Sequence, residues 1–174
     1  AKGLAYMHSM PSPVLHRDIK SGNIMVMKDG IGKVGDCGES RRIVSARARS
    51  PRTTLLYSIY VLYSSTRTIS RTSKDREATM TRIGSPLWAA PEVLGGRRYC
   101  EHVDTYSLGV VMFEIAVRAY PYAKRLREFK SQGGKGMDMQ LLREIANGKR
   151  RIQLEGEGDG VSPAFKKLFR RCVA

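Results

Sequence analysis

Apolar positions along the chain change their rhythm several times, and each change predicts an element. Residues 2–8 carry apolar positions at helical spacing and stop before Pro11-Ser12-Pro13, so they read as the end of a helix. Ile24 to Met27 is a short extended run that meets a turn at Lys28-Asp29-Gly30, and Gly32 to Gly35 can return as a second strand. Residues 39–83 are rich in Ser, Thr and Arg and read mainly as loop. From Val103 to Val117 the chain is apolar on nearly every helical face, with Leu108, Val110, Val111, Met112, Phe113 and Ile115, which predicts a buried helix. Two amphipathic helices follow. Met139, Leu142, Ile145 and Ala146 share one face before the stop at Asn147-Gly148. After a glycine-rich loop at 155–160, Ser162 can cap and Pro163 can take the first helical position. Phe165, Leu168, Phe169 and Cys172 then form an i, i+3, i+4, i+7 stripe that reads as core. The expected class is mainly α (α+β), with short β-hairpins in the first half and helices in the second, and no internal repeat.

Length and composition narrow the choices. A chain of 174 residues suits one domain, and 41% hydrophobic content is enough for a core. The longest apolar run, Leu55 to Tyr63, falls far short of the roughly 18 residues that a membrane span needs. The N-terminus lacks the zones of a signal peptide and an initiating Met, and it opens in mid-element, as a piece of a longer chain would. The formal charge is +15, from 31 Lys and Arg against 16 Asp and Glu. Six of those basic residues lie in the acid-free stretch 44–74, and the others are scattered in pairs such as Arg41-Arg42 and Arg97-Arg98. That distribution describes solvated faces better than a specific nucleic-acid surface. Cys37, Cys100 and Cys172 are odd in number and lack metal-ligand spacing, which argues against a disulfide framework or zinc site and favours a reducing, cytoplasmic setting.

The chemistry concentrates in HRDIKSGN, His16 to Asn23, followed by Asp36 in GDCG. Phosphoryl transfer needs a group to orient the attacking hydroxyl and metal ions to neutralise the phosphates. Asp18 could accept the hydroxyl proton, and Lys20 could place a positive charge near the transferred group. Asn23 and Asp36 offer hard oxygen ligands suited to magnesium.

In order and spacing these residues resemble the catalytic core of eukaryotic protein kinases, whose pattern runs H-R-D-L-x-x-x-N, D-F-G, A-P-E. Here the matching runs are His16-Arg17-Asp18-Ile19 with Asn23, Asp36-Cys37-Gly38, and Ala90-Pro91-Glu92. DTYSLG, Asp104 to Gly109, is similar to the family's D-x-W-S-x-G at the start of its central buried helix. Lys20 and the run GSPLWAAPE resemble serine/threonine kinases, and GSPLWAAPEVL with YSLGVVMFEI looks most like their tyrosine-kinase-like (TKL) branch.

The resemblance implies a protein serine/threonine kinase that transfers the γ-phosphoryl group of ATP, with Asp18 as base and Asn23 and Asp36 on Mg2+. It implies that Arg17 grips a phosphate on the activation segment, for which Thr79, Thr81 and Ser85 are candidates, and that Ser85 contacts Asp18 and Lys20. By the same resemblance Asp104 braces the catalytic loop through backbone N–H groups. His16 reads as a packed residue rather than a proton shuttle, and Gly38 and Glu92 as structural. ATP and a protein substrate are the implied partners; the oligomeric state stays open.

The sequence departs from the family in four ways. Cys37 replaces Phe, and reads as a packed, inert thiol. Nothing in the 174 residues matches the Gly-rich loop, the strand Lys or its Glu partner, so the chain reads as a partial kinase domain over 1–174, the C-lobe with the N-lobe absent, inactive by itself. The Arg that would pair with Glu92 is missing from the chain. Asp36 and Glu92 lie 56 positions apart, and the excess sits in the atypical basic insert 44–74. That insert is either translated intron or a regulatory insertion with phosphorylatable Ser and Thr. The alternative to catalysis is a pseudokinase or docking module.

Overall fold

In a computed structural model, residues 1–42, 85–154 and 160–174 are described. The insert 44–74, Thr79 and Thr81 therefore lie outside the described residues.

Helix α1 (Lys2–His8) leads into strand β1 (Val14–Leu15). The catalytic loop follows and closes with a 3₁₀ turn, Ser21–Asn23. Strands β2 (Ile24–Val26) and β3 (Gly32–Val34) form an antiparallel hairpin in which Ile24 faces Val34 and Met25 faces Lys33. Its turn is built as the Lys-Asp-Gly signal predicts: the Gly30 N–H donates to the Met27 carbonyl at 2.9 Å, and Gly30 takes φ +78°. A second 3₁₀ turn, Cys37–Glu39, precedes β4 (Arg41–Arg42), which pairs with β1. This second sheet is not a hairpin. It joins residues about 27 positions apart, so the catalytic loop and the β2–β3 hairpin are tied off at their base.

The helical half starts with the short α2 (Pro91–Leu94), where Pro91 occupies the first position. Helix α3 (His102–Val117) is the axis of the core and buries Val103, Tyr106, Val110, Val111, Met112 and Phe113. Helix α4 (Ala123–Ser131) was not legible from the sequence pattern, because it buries none of its own residues fully and is dominated by Lys and Arg. Helices α5 (Met139–Ala146) and α6 (Pro163–Cys172) complete the order, α5 against α2 and α6 against α3.

Side-chain caps start both final helices. The Asp138 carboxylate accepts from the Leu141 N–H at 3.0 Å, and the Ser162 hydroxyl accepts from the Phe165 N–H at 3.3 Å. Arg97 donates to the Ala146 carbonyl at 3.0 Å and so satisfies the end of α5.

Three expectations for buried faces need correction. On α5 the core residues are Leu141, Leu142 and Ile145, while Met139 is exposed: it stands in the first turn beside the Asp138 cap, ahead of the contact with α2. On α6 Phe169 is buried but Leu168 is exposed, because the helix lays only one edge against α3. Ile115 is exposed near the C-terminal end of α3, so that helix is not covered on all sides among the described residues.

Candidate active site

The site is organised around a buried carboxylate that belongs to a different part of the chain. Asp104, in the first turn of α3 and 1% exposed, accepts from the backbone N–H of His16 at 2.7 Å and of Arg17 at 2.8 Å. The Nε2 of His8, at the end of α1, lies 2.9 Å from the same carboxylate. These contacts fix a loop that the chain would otherwise resist: Arg17 sits at φ +69°, a left-handed conformation that a side-chain-bearing residue adopts only when its surroundings compensate.

His16 is fully buried and braces the loop from within. Its Nε2 lies 2.9 Å from the Gly35 carbonyl, which can only accept. Its Nδ1 faces the Asp18 N–H at 3.4 Å, which can only donate. Both ring nitrogens thus face backbone groups, those of Gly35 and Asp18, as in a packed residue.

Asp18 is nearly buried, and its two oxygens differ. Oδ2 accepts from Lys20 Nζ at 2.8 Å and from Asn23 Nδ2 at 2.9 Å. Oδ1 is buried and has no well-formed hydrogen bond among the described residues. Burial opposes ionisation of this carboxyl, but the hydrogen bonds from Lys20 and Asn23, the Lys20 charge and the nearby Ser85 hydroxyl outweigh it. The group is held below the ordinary aspartate value.

Asn23 also donates to the Asp18 carbonyl at 2.8 Å, so its amide NH2 is committed to the loop and its oxygen is left for a ligand. The Gly35 N–H donates to the Asn23 carbonyl at 2.8 Å, which brings the stretch before Asp36 beside Asn23. Asp36 takes a left-handed conformation (φ 56°) and receives the Gly38 N–H at 3.4 Å on one oxygen. No cluster of three or more His, Cys, Asp or Glu suited to a metal occurs among the described residues. An amide oxygen and one carboxylate still fit a magnesium ion that completes its shell with phosphate oxygens and water.

The sequence expectation for Cys37 is corrected: the thiol is exposed, not packed. It opens a 3₁₀ turn directly after the left-handed Asp36, and this turn lies at the surface. Glu92 is half-buried in the first turn of α2 and makes no ion pair among the described residues. Arg17 reaches the Glu39 carbonyl with its guanidinium at 3.4 Å; the threonines expected to bear a phosphate near it lie outside the described residues.

Sequence reasoning missed two supports. Glu114, an acid inside the apolar run of α3, accepts from Ser21 of the catalytic loop at 3.0 Å and from the Trp88 indole at 2.7 Å. A single acid within the apolar stretch Leu108 to Val117 was the available signal. His8 offered none, since only the tertiary fold carries it to Asp104.

The protein kinase domain profile matches residues 1–174. The chain belongs to the protein kinase family. It is 34% identical over 122 residues to the Probable serine/threonine-protein kinase drkA of Dictyostelium discoideum, a match covering 70% of this chain and 14% of that protein. Its likeness to drkB from the same organism is the same 34% over 122 residues, covering 70% and 13%. A mimivirus protein with a serine/threonine-protein kinase/receptor name (R831, Acanthamoeba polyphaga mimivirus) is 34% identical over 124 residues, covering 71% of this chain and 6% of that one. The matched segment thus spans a small fraction of each relative's length. All three relatives carry serine/threonine-protein kinase names.

Proposed function

We propose that this chain is the catalytic C-lobe of a serine/threonine protein kinase of the tyrosine-kinase-like branch, and that it works only when a second lobe supplies the phosphate-covering loop and the ATP-pairing lysine. The observation that carries the reading is the asymmetry of Asp18: Oδ2 is tied to Lys20 and Asn23, while Oδ1 is buried with no well-formed hydrogen bond among the described residues. A buried acceptor left open is costly unless something fills it. The hydroxyl of a substrate serine or threonine suits it in chemistry.

In the mechanism the substrate hydroxyl donates to Asp18 Oδ1, which orients its oxygen toward the γ-phosphorus and receives the proton as transfer proceeds. Lys20 keeps the carboxylate ionised and in place, and its ammonium supports charge on the transferred group. Asn23 and Asp36 would hold Mg2+ with ATP, which together supply charge neutralisation at the phosphates. Asp104, His8 and His16 hold the loop rigid and take no part in proton transfer.

Kinship to enzymes named for serine and threonine, together with Lys20 and Ser85 at Asp18, supports the choice of substrate hydroxyl. A cytoplasmic location is part of the same proposal; no helix among the described residues is long and apolar enough to cross a membrane. A second reading, binding without catalysis, draws on the exposed Cys37 in the place of the family's Phe. Nucleotide binding with Mg2+ in the absence of any phosphate transfer by the full-length protein would favour it; transfer that disappears in Asp18→Asn supports the catalytic reading.

A further inference from the structure

Between the end of α3 and helix α4 lies a cavity of about 410 Å³ that the catalytic reading does not use. Its floor is aromatic and aliphatic, with Phe113, Val117, Tyr120 and Tyr122. Its rim is basic: Lys124, Arg125, Arg127 and Arg150 stand against a single acid, Glu128.

Two of the cations are already engaged. Arg125 lies 3.0 Å from Asp138, and Arg150 lies 2.7 Å from Glu144. Lys124 and Arg127 are exposed and make no ion pair among the described residues. The start of α4 adds to the imbalance. Its first turn has no acidic residue and no side-chain cap, and carries Lys124 and Arg125 at the end of the helix where positive charge is least favourable. The arrangement costs stability in isolation and is relieved by an anionic partner.

The cavity is wired to the catalytic loop. The Tyr120 ring packs edge-on against Trp88, with centroids 5.1 Å apart and planes at 83°. Trp88 donates to Glu114, and Glu114 accepts from Ser21, the neighbour of Lys20. These three contacts link the cavity lining to the loop that carries Asp18 and Lys20.

We propose that this cavity docks an acidic segment of the protein substrate, with an apolar side chain on the Tyr120–Phe113 floor and carboxylates at Lys124 and Arg127. The identity of the segment as substrate rests on the kinase reading; the binding itself does not. Docking of this kind raises the local concentration of the reacting hydroxyl without touching the chemistry.

The test is fluorescence anisotropy with the full-length protein and a fluorescein-labelled twelve-residue peptide with a central Leu-Phe flanked by Glu, beside its Gln-for-Glu counterpart. The Glu peptide is expected to bind about tenfold more tightly than the Gln peptide. The double variant Lys124→Glu/Arg127→Glu is expected to lose about tenfold, while the same charge change at the exposed Lys2 and Lys28, away from the cavity, leaves binding within about twofold. Circular dichroism melts check that both variants remain folded. Equal loss in both variants would mean bulk attraction to a basic protein and would overturn the proposal, as would indifference of the Glu peptide to both. Displacement of the peptide by a single-stranded DNA twenty-mer, with the same dependence on Lys124 and Arg127, would overturn it in favour of a general polyanion surface. Because no phosphate transfer is measured, a negative result here leaves the catalytic reading standing.

Discussion

The carboxylate of Asp104 lies 2.7 Å from the backbone nitrogen of His16, a residue 88 positions earlier in the chain. That one contact joins the buried central helix to the catalytic loop, and it is doubled at Arg17 and backed by His8. Asp104→Ala would strand two backbone donors, each costing about 1–3 kcal/mol. Urea unfolding should show that loss, and amide exchange at His16 and Arg17 should accelerate more than elsewhere in the domain. Asp104→Asn keeps an acceptor and should lose less. Unaltered exchange at both amides in Asp104→Ala would refute the role.

Asp18 should titrate below the ordinary aspartate value of 3.8. Burial works against that direction, and the Lys20 and Asn23 hydrogen bonds together with the Lys20 charge prevail over it. Since the folded value is depressed, the associated stability is fully present above 3.8 and is lost as pH falls through the folded value. Lys20→Met should move the Asp18 titration upward in a carboxyl-carbon NMR experiment. An unchanged midpoint would show that Lys20 does not set the charge.

Gly109 of α3 lies against the C-terminal end of α6. A methyl group there would stand 2.6 Å from a Val173 methyl and 2.8 Å from the Cys172 Cβ, distances that real carbon atoms do not hold. Gly109→Ala should push the helices apart and destabilise the domain by about 1–3 kcal/mol. Thermal melts of equal midpoint would contradict the close approach.

The buried face of α5 gives a paired prediction. Leu141→Ala should cost about 2–5 kcal/mol, since the residue is wholly buried, whereas Met139→Ala should cost under about 1 kcal/mol. Reversed magnitudes in denaturant unfolding would restore the face that helical periodicity alone suggests.

That pair also shows what the sequence could and could not convey. Periodicity located α5 and its stop at Asn147-Gly148, but Met139 and Leu141 are both apolar, and only the packing against α2 decides which is inside. Helix α3 was legible because its apolar run is long, and the β2–β3 hairpin because Lys28-Asp29-Gly30 has turn chemistry. Helix α4 was not legible, because it is held by the Arg125–Asp138 ion pair, by Leu126 against the core and by Phe129 lying over Gly134 rather than by a long apolar stripe. At the site, the spacing of Asp18, Lys20 and Asn23 within one loop made them readable. The contributions of His8 and Glu114 arise from contacts across 96 and 93 positions, which no local pattern reveals.

The most direct measurement is transfer of the labelled γ-phosphate of ATP to serine and threonine of a protein substrate by the full-length protein, beside its Asp18→Asn variant. The account predicts labelling by the unaltered protein, confined to serine and threonine, and a fall of about 10²–10⁴-fold in the variant with nucleotide binding retained. Equal labelling by both proteins, or bound nucleotide with no transfer by either, would contradict the assignment of Asp18 as the catalytic base.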